Sequence, residues 1–334
     1  MATFPRLWRN LALSLLLALG VVAVAALYAD LEALRQTLRH FQWGWAAPVV
    51  ALTALNLALR YAKWDVYLRW LGVRLRPTDS LAIFLSNFLL ILTPGKMGGL
   101  MKSYFVRQLS GTPMAHTLPI IVVERLTDGI GMILMTALAL MIYPPAWPVV
   151  ALVVVGLTAI IVVAQMRPQL LWLLDRLEGQ FGDRVRALRR FYESSYSLLQ
   201  WRPLVAGILL GTLSRATEGV ALGLVLIGLG LRMELPMLAD SLFIAALSNV
   251  IGVVVMLPGG LGGTEGSMMG LLTLFFELAP APATAATLLL RLATFWLPAA
   301  LGLAALLWKR QRFFAASPVA PLTEPTELSY DGSL

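Results

Sequence analysis

The sequence predicts an all-α polytopic membrane protein: an inverted repeat with about six full transmembrane helices and two re-entrant broken-helix hairpins. Three observations predict it. First, 59% of the 334 residues are hydrophobic and only 13% are charged, roughly half the charge of a soluble domain. Second, one stretch occurs twice, as DSLAIFLSNFLLILTPGKMGG at 79–99 and as DSLFIAALSNVIGVVVMLPGGLGG at 240–263. Asp79, Ser80, Ser86 and Asn87 match Asp240, Ser241, Ser248 and Asn249, and Pro94, Gly95, Gly98 and Gly99 match Pro258, Gly259, Gly262 and Gly263. Each copy is an apolar run that stops at Pro-Gly and a glycine pair, residues that break a helix. Broken apolar helices at matching positions of two halves mark the binding site of a transporter. Third, the Lys and Arg residues fall mostly on one side of the chain's expected path, as the positive-inside rule requires.

Taken in order, residues 11–29 form a first span, longer than a signal-peptide core. Trp43 and Trp45 mark an interface before a second span at 46–64, whose end is dense in basic and aromatic residues, Arg60, Lys63, Trp64, Tyr67 and Arg69 among them. That density reads as a cytoplasmic exit with tryptophans as interface anchors. The first hairpin follows, its return arm carrying Lys96, Lys102 and Arg107 and being too short and basic to span. A third span covers 116–143 and a fourth 149–166, and the charged segment 167–202 is the main cytoplasmic loop. The fifth span, 203–231, leads into the second hairpin, the sixth covers 283–308, and the tail 313–334 is expected to be disordered. The domain scheme is therefore 1–43, repeat 1 at 44–145, a linking span and basic loop at 146–202, repeat 2 at 203–312, and the tail.

With the N-terminus inside, only Arg35, Arg39 and Arg232 of the 26 Lys and Arg lie outside, and Arg125, Arg215 and Arg291 lie within spans. The first copy is then entered from the inside and the second from the outside, so the two units are inverted.

Ionisable residues inside spans cost at least ~2.5 kcal/mol each by insertion scales, so they are functional candidates. They are Lys96, Lys102, Glu124, Arg125, Asp128, Arg215, Glu218, Glu265 and Arg291. Arg125 with Asp128 and Arg215 with Glu218 stand three apart on a helix, so each pair can also neutralise itself. Arg291 has no local acid and needs a partner across the bundle or in a ligand. The glycine turns let a ligand approach, and a helix starting after each break presents free N–H groups to an anion. Lys96 beside the first turn suits phosphate or carboxylate, and Glu265 beside the second suits a cation or a coupling proton.

The chain has no Cys and two His, so disulfides and thiolate metal sites are excluded, and neither a metal nor another cofactor is expected. The net charge of +8 is accounted for by loops facing the cytoplasm, and nucleic acid is not an expected partner. No P-loop, HExxH or GxSxG motif is present.

The stretches TPGKMGGLMKSYFVRQLSG, VVERLTD and LPGGLGGTEG resemble the flippase-like transmembrane domain of the lysylphosphatidylglycerol synthases and its free-standing relatives, over about residues 10–310. The resemblance implies a domain that carries an aminoacylated phospholipid or related lipid between leaflets. By position it implies roles for Lys96, Lys102, Glu124, Arg125, Asp128 and Glu265, with Arg215 and Arg291. Family members often carry an acid where this chain has Gly99. No synthase domain accompanies the spans in these residues, so lipid synthesis is not implied.

The expected function is movement of a phospholipid or related polar-headgroup lipid between leaflets of the bacterial cytoplasmic membrane, by alternating access at a charged cavity between the hairpin tips. Both termini are expected inside. The partners are the lipid substrate and the bilayer, and a homo-oligomer is compatible with the sequence. A membrane-embedded lipid transferase using Glu124 and Asp128, and a non-transporting scaffold of a lipid-synthesis complex, are the alternatives.

Overall fold

The computed structural model describes residues 29–92, 98–140, 182–232, 234–255 and 257–314, with scattered positions at 16–27 and 151–176. The first turn's Pro94, Gly95 and Lys96, most of the expected spans 11–29 and 149–166, and the tail beyond 314 lie outside the described residues. Within them there is no strand. The helices are α1 (Leu31–His40), α2 (Ala46–Trp70), α3 (Pro77–Leu90), α4 (Gly98–Ser110), α5 (Met114–Leu140) and α6 (Asp183–Leu198). There follow α7 (Trp201–Gly228), α8 (Leu235–Val254), α9 (Gly263–Phe276), α10 (Pro280–Arg291) and α11 (Leu297–Phe313). A single π turn, Leu292–Trp296, joins α10 to α11 into one rod.

Local sequence explains where these helices begin. The N-terminus of α1 is capped by Asp30, whose Oδ1 accepts the Glu32 N–H at 3.0 Å. Proline opens α3, α8 and α10, positions at which the missing N–H would have had no helical partner; Pro298 instead stands just after the π turn, inside the continuous rod. The second broken-helix turn is built from Gly259, Gly260 and Gly262 at φ of 63°, 70° and 82°, a region closed to most side chains.

Length and composition separate the spanning segments from the short ones. Among the described residues, four helical rods are long and apolar enough to cross a membrane: Trp43–Trp70, Trp201–Gly228, Leu235–Val254 and Pro280–Phe313. Two of these contain the expected spans at 46–64 and 283–308, and Trp201–Gly228 covers the expected span 203–231 except for its last three residues. The fourth is α8, the first arm of the second hairpin, whose 20 residues reach about 30 Å. Its counterpart α3 has 14 residues and reaches only about 21 Å, so the two arms differ in length. In α5, 27 residues long, Glu124, Arg125 and Asp128 occupy the middle, as Arg215 and Glu218 do in α7.

The packing crosses between the halves. Helix α2 lies along α7; α3 packs on α11, and α8 packs on α5. The first arm of each hairpin region is thus docked on the closing helix of the other half. One buried cluster joins Trp64, Tyr67, Phe84 and Phe105 to Phe313, and the Phe105 and Phe313 rings stack at 4.2 Å. A second joins Leu222, Leu226, Phe243, Ile244, Leu272 and Leu290. The α3–α11 contact is close because position 302 is glycine: a Cβ there would sit 2.5 Å from the Leu85 carbonyl oxygen.

Trp64 corrects the reading of the α2 end as an interface. It is 1% exposed, its indole N–H donates to Ser80 Oγ at 3.2 Å, and the Lys102 ammonium lies 4.0 Å over its ring. Trp43 and Trp308, at 58% and 65% exposure, have the surroundings expected of anchors.

Candidate functional site

The charged residues of the helix interiors collect around two centres. The larger is built by α2, α4, α5 and α7. Asp128 on α5 accepts from the Lys63 ammonium of α2 and, at 3.4 Å, from Arg215 of α7. Arg215 also donates to Glu218 on its own helix at 3.0 Å. Lys102 on α4 donates to both carboxylate oxygens of Glu124 on α5, at 3.1 and 2.8 Å. Glycine at 211 makes the Lys63–Asp128 meeting feasible, since a Cβ there would lie 3.2 Å from Lys63 Nζ and 3.4 Å from Asp128 Oδ1. Asn56 extends the polar network, donating to the Ser214 carbonyl and to Thr217 Oγ1.

These groups surround a cavity of about 30 Å³, lined by Arg60, Lys63, Asn87, Lys102, Glu124, Arg125, Asp128 and Gly99. That volume has room for about one water molecule. The cavity lies beside α3 and α4 and against α2 and α5. None of its lining residues comes from α8 or α9; the expected cavity between the two turns involves residues 93–97, outside the described residues. At the second turn a Cβ at Gly259 would lie 3.5 Å from Leu92 Cδ2 and 2.6 Å from the Phe295 ring.

Two expected local pairs fare differently. Arg215 is bonded to Glu218 three residues on, as the spacing allows. Arg125 is not bonded to Asp128, whose oxygens are taken by Lys63 and Arg215. Arg125 is exposed on α5 and has no ion pair or hydrogen bond to any described residue. Arg60 also has no ion pair, and its guanidinium lies 5.0 Å from the Phe88 ring centroid.

The smaller centre belongs to α9 and α10. Arg291 Nε donates to Glu265 Oε1 at 2.6 Å, and Arg291 stands 4.0 Å from the Phe295 ring centroid. The other Glu265 oxygen accepts the Gly262 N–H at 2.7 Å, which satisfies the N-cap donor at the start of α9. Arg291 therefore has its acid on the neighbouring helix, and the Glu265 carboxylate is held by a protein cation. Beside this centre an apolar groove of about 850 Å³ runs along Val21, Val24, Gly266, Met269 and Thr273, with Glu265 in its wall.

Lys63 and Arg60 were missed as site residues because they stand in a run of basic and aromatic residues at a helix end. The signal that could have found them is phase: Lys63 stands seven residues from Asn56, two helical turns along the face that carries the polar contacts to α7.

Comparison with known proteins places these observations in a family. The family model described as "Lysylphosphatidylglycerol synthase TM region" matches residues 11–302. A protein named "UPF0104 membrane protein" from Methanothermobacter thermautotrophicus is 25% identical over 329 residues, covering 88% of this chain and 94% of that protein. No solved structure matches the chain.

Proposed function

The chain belongs to the lysylphosphatidylglycerol synthase TM region family, and from that premise we propose that it moves a polar-headgroup lipid between the leaflets of the cell membrane. The observation that carries this reading is the charged cavity between α2, α3, α4 and α5, held inside a body of apolar helices. Buried charge in such a body is costly and marks a pathway or binding site. In the proposed mechanism the headgroup occupies the cavity while the acyl chains stay in the lipid phase.

Crossed packing supports an inverted repeat and alternating access. The α3–α11 and α8–α5 contacts exchange under a swap of halves, and each half has an ion pair from its return arm to its closing helix. In the first half that pair is Lys102 with Glu124, and in the second Glu265 with Arg291, with the signs reversed. Such a pair of related halves can open first to one face and then to the other. The proposed placement is the cytoplasmic membrane, with both termini inside, where the basic end of α11 meets the anionic leaflet.

The transferase alternative asks Glu124 and Asp128 to act as acid and base. Both are bound to cations, which makes them poor proton carriers, so transport is the better reading. The test is reconstitution into liposomes with fluorescent phospholipid analogues, and dithionite quenching of the outer leaflet. Flipping above that of protein-free vesicles is expected. A rate equal to theirs for every headgroup tried would reject the proposal.

A further inference from the structure

Among the described residues around the larger centre, every carboxylate is committed and two cations are not. Glu124 is held by Lys102, Asp128 by Lys63 and Arg215, and Glu218 by Arg215. Five cationic side chains, Arg60, Lys63, Lys102, Arg125 and Arg215, therefore face three acids. The uncommitted cations are the guanidiniums of Arg60 and Arg125, which line the same cavity. Half-buried Arg60 is partly desolvated without an acid, which is expensive, and the planar fork of each guanidinium matches two oxygens of a phosphate. We propose that Arg60 and Arg125 form the binding site for the phosphate of a net-anionic headgroup, and that the site discriminates against zwitterionic lipids. Discrimination follows from the missing free carboxylate, since an ammonium brought into this cavity finds no acid to hold it. The inference deepens the lipid-transport reading and rests on it for the identity of the ligand as a lipid.

The closed cavity, about 30 Å³, is smaller than a phosphate group, so binding requires α5 to part from α2. Arg125, exposed on α5, is the first of the two to meet an entering headgroup. Arg60, half-buried on α2 beside Phe88, is reached once the helices separate.

The experiment is native mass spectrometry of the full chain in mixed micelles with equimolar phosphatidylglycerol and phosphatidylcholine. Wild type is compared with Arg60→Gln, Arg125→Gln, Arg125→Lys and, at an exposed position at the end of α11, Arg310→Gln. Phosphatidylglycerol is expected to be retained at least ~10-fold over phosphatidylcholine, with either glutamine variant losing about 10-fold of that preference, the loss of one charge-assisted contact. Arg125→Lys should keep part of it, and Arg310→Gln all of it. Adding millimolar inorganic phosphate separates the sources: competition assigns the site to a free anion and no competition assigns it to the lipid, both with the phosphate site intact. Equal retention of the two lipids, or full preference in both glutamine variants with unchanged melting temperatures, overturns the inference. Binding without flipping in liposomes removes transport and leaves this site. Flipping of both lipids alike, unaffected by Arg125→Gln, removes this site and leaves transport.

Discussion

Asp128 is the residue on which the larger centre depends. It receives Lys63 and Arg215 from two other helices at a position 5% exposed, so α2, α5 and α7 meet at one carboxylate. Removing one partner of a buried pair typically costs about 3–5 kcal/mol, because the other charge is left uncompensated. Asp128→Ala is therefore expected to lower the melting temperature of the detergent-purified protein markedly. Asp128→Glu, which keeps the charge, should lower it less; equal and small shifts in both would show that the pair carries little of the fold. The opposite holds for Arg125, which has no carboxylate to leave behind. Arg125→Gln should leave the melting temperature within ~0.5 kcal/mol of wild type in stability, the range of ordinary surface changes, while altering lipid selection. Sequence spacing could not distinguish these two arginine environments, since Arg125 and Arg215 both stand three residues before an acid. What decides between them is which cation from another helix reaches Asp128 first, and that is a property of tertiary packing.

At the scale of elements, the α3–α11 contact is held by polar groups at one end and close backbone approach in the middle. Asp79 in the first turn of α3 accepts from Lys309 at 2.7 Å and from Arg312 at 3.0 Å. Its sequence counterpart Asp240 on α8 has no ion pair to any described residue, so the two arms are fastened unequally. Asp79→Asn is expected to loosen the end of α11 and to increase hydrogen exchange across 305–314 without changing exchange in α8. Gly302→Val should separate α3 from α11 and destabilise by about 1–3 kcal/mol, the usual cost of overpacking, measured by thermal unfolding. Most helices and their broken-helix character were legible in the sequence from apolar run length, Pro-Gly pairs and the duplicated DSL and SN stretches. The difference in length between α3 and α8 was less legible, because three inserted residues in the second copy lengthen its arm without changing its pattern. The burial of Trp64 was not legible, since a Trp near basic residues looks alike at an interface and in a core.

For the whole molecule, the arrangement joins two halves through exchanged contacts, α3 on α11 and α8 on α5. In the proposed inverted repeat, these contacts are the route by which motion of α3 or α8 would reach the closing helix of the other half. The family was readable from the motifs, but the part that α2 plays in the cavity wall, through Arg60 and Lys63, was not. Leu92, at the end of the first arm, and Leu261, in the second turn, lie in one buried cluster. Since the chain has no Cys, a Leu92→Cys, Leu261→Cys protein places its two thiols in one buried cluster, where oxidation can be tested for a single cross-link. The most direct measurement is fluorescent-lipid flipping by this protein in liposomes, oxidised and then reduced, with the cross-link verified by mass. Flipping absent in the oxidised protein and restored by reduction is the predicted result; equal rates in both states, or none in either, would contradict it.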